Sequence, residues 1–319
     1  MINNELTIVA LAGGVGGAKL ADGLAQVLQP DNLTIIVNTA DDFTHIGLRI
    51  SPDLDTVCYT LADMANPATG WGRKDETWNA FRALSAIGMP DWFRLGDTDL
   101  ATHLVRDMHL TDGWSLSQVT EEFCRMWKIK VKVLPMTDDI VRTWVYTDEG
   151  DLEFQEYFVR RKCEPVVGGF KFVGVEKAHP APGVLEAIQA CEAVVICPSN
   201  PWVSINPILS IPGIRGALSK KTVVAVSPII GDQTVRGPAA KMFSELGIKP
   251  SALAVALHYQ EIIDAIFLDQ VDHQQAKDIE ALGISSVLTD ALMIDKADRG
   301  RLASEVIEYI RVKLKGTET

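Results

Sequence analysis

"LTIVALAGGVGGAKLADGL", residues 6–24, is the stretch whose reading decides the fold. An apolar run stops at a group of glycines, and a helical pattern starts behind them. That is the first half of a strand-to-helix unit. The arrangement recurs. "LTIIVNT" (33–39), "AVVICPSN" (193–200), "TVVAVSP" (222–228), "ALAVAL" (252–257) and "ISSVLTD" (284–290) are short apolar runs ending in turn residues. They are nearly continuous rather than alternating, as strands covered on both faces are. Helices are expected between them at 18–29, 183–191, 238–247, 259–265, 274–282 and 297–314. The expected fold class is therefore α/β, a Rossmann-like parallel sheet with helices on both faces.

The middle of the chain reads differently. Tryptophans and charges dominate "GWGRKDETWNAFRAL", and "DLATHLVRDMHL" and "LSQVTEEFCRMWK" behind it have the spacing of amphipathic helices. "VRTWVYTDEGDLEFQEYFVRR" places two alternating runs around an Asp-Glu-Gly turn, which predicts a β-hairpin. The expected organisation is a core from 1–59 and 166–319, with 60–165 as an inserted helical and hairpin lobe.

The chain has 319 residues, 47% of them hydrophobic and 23% charged, ordinary values for a globular protein. A net charge of −12 argues against nucleic acid and anionic membrane as partners, since both need a basic surface. It also means that an anionic substrate needs a local positive site or a metal. Five scattered cysteines without a CxxC pair favour reduced thiols and a cytoplasmic location. "MINNELTIVALAGG" has no basic start and runs straight into a strand, so no signal peptide is expected. No apolar run reaches the roughly 18 residues of a membrane span.

Three loops at predicted strand ends carry candidate chemistry, and ligands of open α/β sheets bind at such ends. The first is the glycine loop with Gly13, Gly14, Gly16, Gly17 and Lys19. It is either a tight turn or a phosphate cradle of nonstandard form. A dinucleotide fingerprint would need glycine at 19, and a Walker loop would need Ser or Thr after the lysine; neither is present. "PSNPWVSINPIL" (198–209) and "SPIIGDQTVRGPAAKM" (227–242) are the others, the latter with Arg236 and Lys241 flanking a helix start. Between them in function stands "NTADDFTHIGLRISPDLDT" (38–56), with Asp41, Asp42, Asp53 and Asp55. These acids are turn and cap residues, or they hold a divalent cation against a phosphorylated substrate. Asp41 or Asp42 could alternatively hold the ribose of NAD in a dehydrogenase. In "WFRLGDTDLATHLVR" (92–106), Asp97 is an N-cap candidate, and packing is the expected role of His103. Trp71, Trp78 and Trp92 are core residues or walls for a planar ring.

Taken together, "NTADD", "GLRISPDLDT", "WGRKDET", "RLGDTDLATHLVR", "LPMTDD", "CPSNPWVSINPIL" and "SPIIGDQTVRGPAAKM" make the chain resemble the 2-phospho-L-lactate transferase family of coenzyme F420 biosynthesis. The match runs from the glycine loop to about residue 270. A related family of glycine-rich, nucleotide-sugar-binding metabolic regulators shares the opening glycines but lacks "ISPDLDT" and "PSNPWVSINPIL". The resemblance implies transfer of a phospholactyl or phosphoenolpyruvyl group from a guanosine diphosphate ester. The acceptor would be the ribityl hydroxyl of 7,8-didemethyl-8-hydroxy-5-deazariboflavin, with GMP released and Mg2+ required. It implies Asp53, Asp55 and Asp42 as metal and hydroxyl-activating residues. The glycine loop with Lys19, and Ser199, Asn200, Ser204 and Asn206, would cradle the nucleotide. Trp92, Arg94 and Asp97 would border the deazaflavin, and Lys19, Arg49 or Lys241 would face the diphosphate. Relatives of this kind imply a homodimer. The loop "GGVGGAK" departs from the "GGTGTPK" form of some relatives, which leaves its location expected but not its contacts.

Overall fold

The computed structural model describes residues 6–235 and 237–317; Arg236 lies outside the described residues. Seven strands form one parallel sheet: β1 (Ile8–Ala12), β2 (Leu33–Val37), β3 (Lys132–Pro135), β4 (Ala193–Ile196), β5 (Thr222–Val226), β6 (Ala265–Asp269) and β7 (Ser285–Thr289). Their order is β7-β6-β5-β4-β1-β2-β3. Ile8 of β1 is in register with Leu33 of β2 on one side and Ala193 of β4 on the other. The chain builds outward from β1 in one direction, then returns to build from β4 in the other. The switch point lies between β1 and β4, and the crevice outside the carboxyl ends of strands at such a point is where open sheets bind ligands.

Successive side chains of a strand point to opposite faces, so β1 feeds two cores. Val9 and Leu11 join the cluster containing Val184, Ile188 and Ile208; Ile8, Ala10 and Ala12 join the one containing Leu20, Leu24 and Val306. That second face is covered by helices α1 (Gly14–Val27) and α2 (Pro52–Leu61) and by the helix Lys296–Thr317. The middle segment supplies α3 (Asn79–Ala86), α4 (Asp97–Thr111) and α5 (Leu116–Met126). The strands Arg142–Thr147 and Gly150–Glu153 form the expected hairpin, and Val167–Val173 adds a third strand to it.

Three expectations are corrected. "ALAVAL" is helix Ala252–His258, and the strand lies instead at Ala265–Asp269, partly where a helix was expected. Three alanines favour helix, and the Ser251 side chain accepts from the Ala254 N–H as an N-cap. The interval 60–165 is not wholly a separate lobe, because β3 inside it is the edge strand of the main sheet. Helix α1 begins at Gly14, inside the glycine group, rather than at 18. No helix among the described residues is long and apolar enough to cross a membrane.

Candidate active site

Strand ends and α2 enclose a cavity of about 770 Å³ at the switch point. Loops after β1, β4, β5 and β7 give one wall: Gly13, Gly14 and Gly16, then Pro198–Ser204 in part, Ser227 and Pro228, and Ala291–Met293. A second wall comes from residues between 50 and 103, among them Tyr59, Trp71, Trp92, Phe93, Arg94, Asp99 and His103. Asp41 and Asp53 line the same space.

The glycines are explained by contact distances. A Cβ on Gly13 would lie 2.5 Å from Asp53 Oδ2 and 2.7 Å from Ser204 Cβ, and one on Gly16 would lie 2.2 Å from the Pro198 carbonyl oxygen. The loop after β4 and the Asp53 carboxylate therefore close against bare backbone. Gly14 has φ +60°, the left-handed region that glycine adopts without steric cost. Gly17 packs toward Ser199 Oγ and Ala12 and does not line the cavity. The Gly13 N–H donates to Ser199 Oγ at 3.0 Å, fixing the two loops together.

Asn38, at the end of β2, ties the centre. Its Nδ2 donates to Asp53 Oδ2 at 3.0 Å and to the Val203 carbonyl at 3.2 Å. Asp53 sits in the first turn of α2, where the helix dipole favours negative charge. Burial nevertheless pushes its carboxyl up to about 6, against hydrogen bonds from Asn38 and the Gly14 N–H. Asp41 is pushed well above the usual carboxylate range, first by burial and then by the charge of Asp53. Its Oδ1 is buried without a hydrogen-bond partner.

The structure brings the sequence candidates together only in part. Asp53, Lys19, Ser199, Asn200, Ser204, Trp92 and Arg94 line the cavity with Gly13, Gly14 and Gly16. Asp55 also reaches it, but both its oxygens are taken by the buried Arg106: Nη1 bonds Oδ2 at 3.1 Å and Nη2 bonds Oδ1. Asp42 is not in the lining; it accepts from Ser51 Oγ at 2.7 Å, and burial pushes its carboxyl up to about 7. Asp97 is likewise outside the lining and holds the start of α3, accepting from Thr77 Oγ1 at 2.6 Å and from the Ala80 N–H at 2.9 Å. Asn206 is engaged by His258 Nε2 at 2.9 Å. Of the three nominated cations, Arg49 pairs with Asp107 at 2.6 Å and Lys241 with Glu245, both away from the cavity. Lys19 is in the lining, with Nζ also donating to the Met293 carbonyl.

The acidic run as a whole reads as a candidate cation site, but the set implied by the resemblance leaves out Asp41. Asn38, Tyr59 and Asp99 are not expected in the site, and His103 is expected only to pack or face solvent. "NTADD" and "DTDLATH" contain most of these residues, but nothing in either string says which acid turns inward.

Asp42, Asp53 and Asp55 do not form a metal-binding set, and no group of three or more His, Cys, Asp or Glu does so among the described residues. A divalent cation that takes one or two carboxylates and completes its shell with substrate oxygens fits better. Asp41 and Asp53 are two buried carboxylates on this cavity, Asp41 held up by burial and by the charge of Asp53 and carrying one oxygen without a hydrogen-bond partner.

A doubly wound α/β sheet with a glycine loop, two buried acids and an aromatic wall around one cavity defines a small-molecule-binding protein of the Rossmann-like class. The chain belongs to the 2-phospho-L-lactate transferase family: the model of 2-phospho-L-lactate transferase CofD matches residues 8–309. It is 44% identical over 317 residues to a phosphoenolpyruvate transferase of Streptomyces griseus, covering 96% of this chain and 100% of that one. A 2-phospho-L-lactate transferase of Methanosarcina mazei is 40% identical over 301 residues, covering 94% and 99%. Among solved structures, a UPF0052-family protein from Bacillus halodurans superposes with TM-score 0.64 over 95% of this chain and 99% of that one; at 15% identity the likeness is one of fold.

Proposed function

We propose that the protein is a transferase of coenzyme F420 biosynthesis that moves a phospholactyl or phosphoenolpyruvyl group from its guanosine diphosphate ester to 7,8-didemethyl-8-hydroxy-5-deazariboflavin. The observation that carries this, in a chain of this family, is the pair Asp41 and Asp53 on one cavity with the glycine loop and the aromatic wall. In the reaction the ribityl hydroxyl oxygen bonds to the phosphorus bearing the three-carbon acid. The bond from that phosphorus to the GMP oxygen breaks, and GMP leaves. Asp53, on the cavity beside the glycine loop, is the carboxylate that takes the hydroxyl proton. Asp41 and Asp53 are the carboxylates that would hold Mg2+, whose charge offsets that of the diphosphate. Lys19 and the Gly13–Gly14 backbone at the start of α1 face the nucleotide phosphates. Asp55, neutralised by Arg106, shapes the wall rather than holding the cation.

We also infer a cytoplasmic homodimer. The five cysteines are free, and α4 with its neighbours leaves Leu104, Met108, Trp114 and Ile87 exposed. The test of function is a product assay with both guanylated donors, the deazaflavin and Mg2+, read by mass spectrometry. A phosphodiester and GMP are expected with one donor or both. No product with either, together with thermal stabilisation by NAD and none by GDP, would overturn the reading in favour of a dehydrogenase.

A further inference from the structure

The second wall contains a buried polar group that the chemistry above does not use. Arg106 Nη1 lies 2.9 Å from His103 Nδ1. A guanidinium only donates hydrogen bonds, so Nδ1 accepts and the ring proton sits on Nε2. His103 is thereby excluded as a general base, since its one lone pair is occupied, and is fixed as a donor. That Nε2–H has no hydrogen-bond partner among the described residues, although the residue is only 1% exposed and lines the cavity. A buried donor left without an acceptor is unfavourable, and a ligand acceptor would relieve it.

One helical turn earlier stands the complementary group. Asp99 Oδ1 lies 3.4 Å from His103 Nε2, without hydrogen-bond geometry, and accepts from the Tyr59 hydroxyl at 2.8 Å. Burial pushes the Asp99 carboxyl up, but its polar neighbours, the Tyr59 hydroxyl and the Arg106 guanidinium among them, hold it below the usual range, so it is ionised and accepts only. Tyr59, Trp92 and Phe93 surround the same space, and aromatic walls of this kind suit a planar ring.

We propose that His103 Nε2–H and the Asp99 carboxylate form a fixed donor–acceptor pair that selects a planar heterocycle by a lactam edge, an N–H beside a C=O. The C=O accepts from His103, and the ring N–H donates to Asp99. The inference rests on the transferase reading. Both rings of that reaction, guanine and the deazaflavin, carry such an edge. The pair belongs to the wall of Tyr59, Trp92 and Phe93 and not to the glycine loop, so it is assigned to the deazaflavin.

The test is direct binding of the full-length protein to the ribityl deazaflavin, to its derivative methylated at the ring imide nitrogen, and to GDP. Methylation removes the N–H and leaves the Asp99 carboxylate without its partner. It is expected to weaken binding to the wild type by about 10- to 100-fold. Asp99→Leu, which removes the acceptor, should bind the two deazaflavins nearly alike, and its affinity for GDP should be unchanged. His103→Leu should bind the deazaflavin more weakly, with partial rescue in His103→Gln, whose amide can still donate. GDP binding and melting temperature verify that each variant is folded, and the wild-type comparison needs no variant. Equal binding of both deazaflavins by the wild type overturns this pair while leaving the transferase reading intact. Loss of GDP affinity in Asp99→Leu, with deazaflavin affinity unchanged, overturns the assignment to the deazaflavin. Failure of the wild type to bind the deazaflavin at all removes both readings.

Discussion

Asp41 and Asp53 share one cavity wall, and replacing either should remove most turnover without unfolding the chain. Loss of a charge that stabilises the transition state costs about 3–4 kcal/mol, roughly 10²–10³ in rate. Asp53→Asn and Asp41→Asn are expected to fall in that range, with near-native melting temperatures. Asp42→Asn should keep most of its activity; steady-state rates of the three variants decide it, and an Asp42 defect as deep as the other two would sink the assignment. Asp42 has a different signature. Its carboxyl is raised from 3.8 to about 7 in the folded state, so the stability contributed by its protonated form is full below about pH 3.8 and is lost as pH rises through 7. The loss approaches about 4 kcal/mol between pH 4 and pH 8. Without ligands, Asp42→Asn should therefore flatten the fall in melting temperature over that window, and an unchanged pH profile would contradict it. Neighbouring acids are where sequence reading reached its limit. Asp41 and Asp42 are adjacent, as Asp97 and Asp99 nearly are, and in each case composition located the acidic spot. Backbone direction at a turn and at the first residues of a helix chose which side chain entered the cavity, and no residue type records that choice.

Helix α4 is fastened to α2 through the buried Arg106–Asp55 pair. Breaking such a pair from one side leaves an uncompensated buried charge and costs about 3–5 kcal/mol. Arg106→Met should lose stability of that order, and adding Asp55→Asn should restore a part of it; chemical denaturation of the single and double variants measures the coupling. A second fastening lies on the opposite face. His258 packs edge-on to Trp202, ring centroids 4.2 Å apart, and engages Asn206. Burial, with a smaller contribution from Arg215, lowers its ring from 6.5 to about 4. The stability of the neutral ring is present above pH 6.5 and is lost as pH falls toward 4. Acidification from pH 7 to pH 5 should cost about 2 kcal/mol through this residue, and His258→Gln should lose less over the same range. Identical pH slopes in the two proteins would remove His258 as the cause. Elements were legible where a run was long or its caps were plain. "ALAVAL" is ambiguous because six apolar residues fit a buried strand and a buried helix equally. β3 is hard to see because "KVLP" is four residues long and sits at an edge.

At the scale of the molecule, the parallel sheet was readable because strands buried on both faces are apolar throughout. The position of β3 was not, since strand order depends on which crossover returns to which edge. The proposed homodimer belongs to this scale. Sedimentation at micromolar concentration should give a species of twice the chain mass, and Leu104→Glu with Met108→Glu should shift it toward monomer; a monomeric wild type would end the proposal. The two walls of the cavity also differ in how they are written along the chain. Tyr59, Trp71, Trp92 and Phe93 come from one stretch, 59–93, with Phe154 and Phe158 also lining the cavity from beyond it, whereas the other wall is gathered from loops after four separate strands. A single crossover of genetic material could therefore exchange most of the first wall's rings, while the second could be rebuilt only by coordinated change at distant places. Divergence among relatives should accumulate in the ring-facing stretch, and the loops on the sheet should resist it.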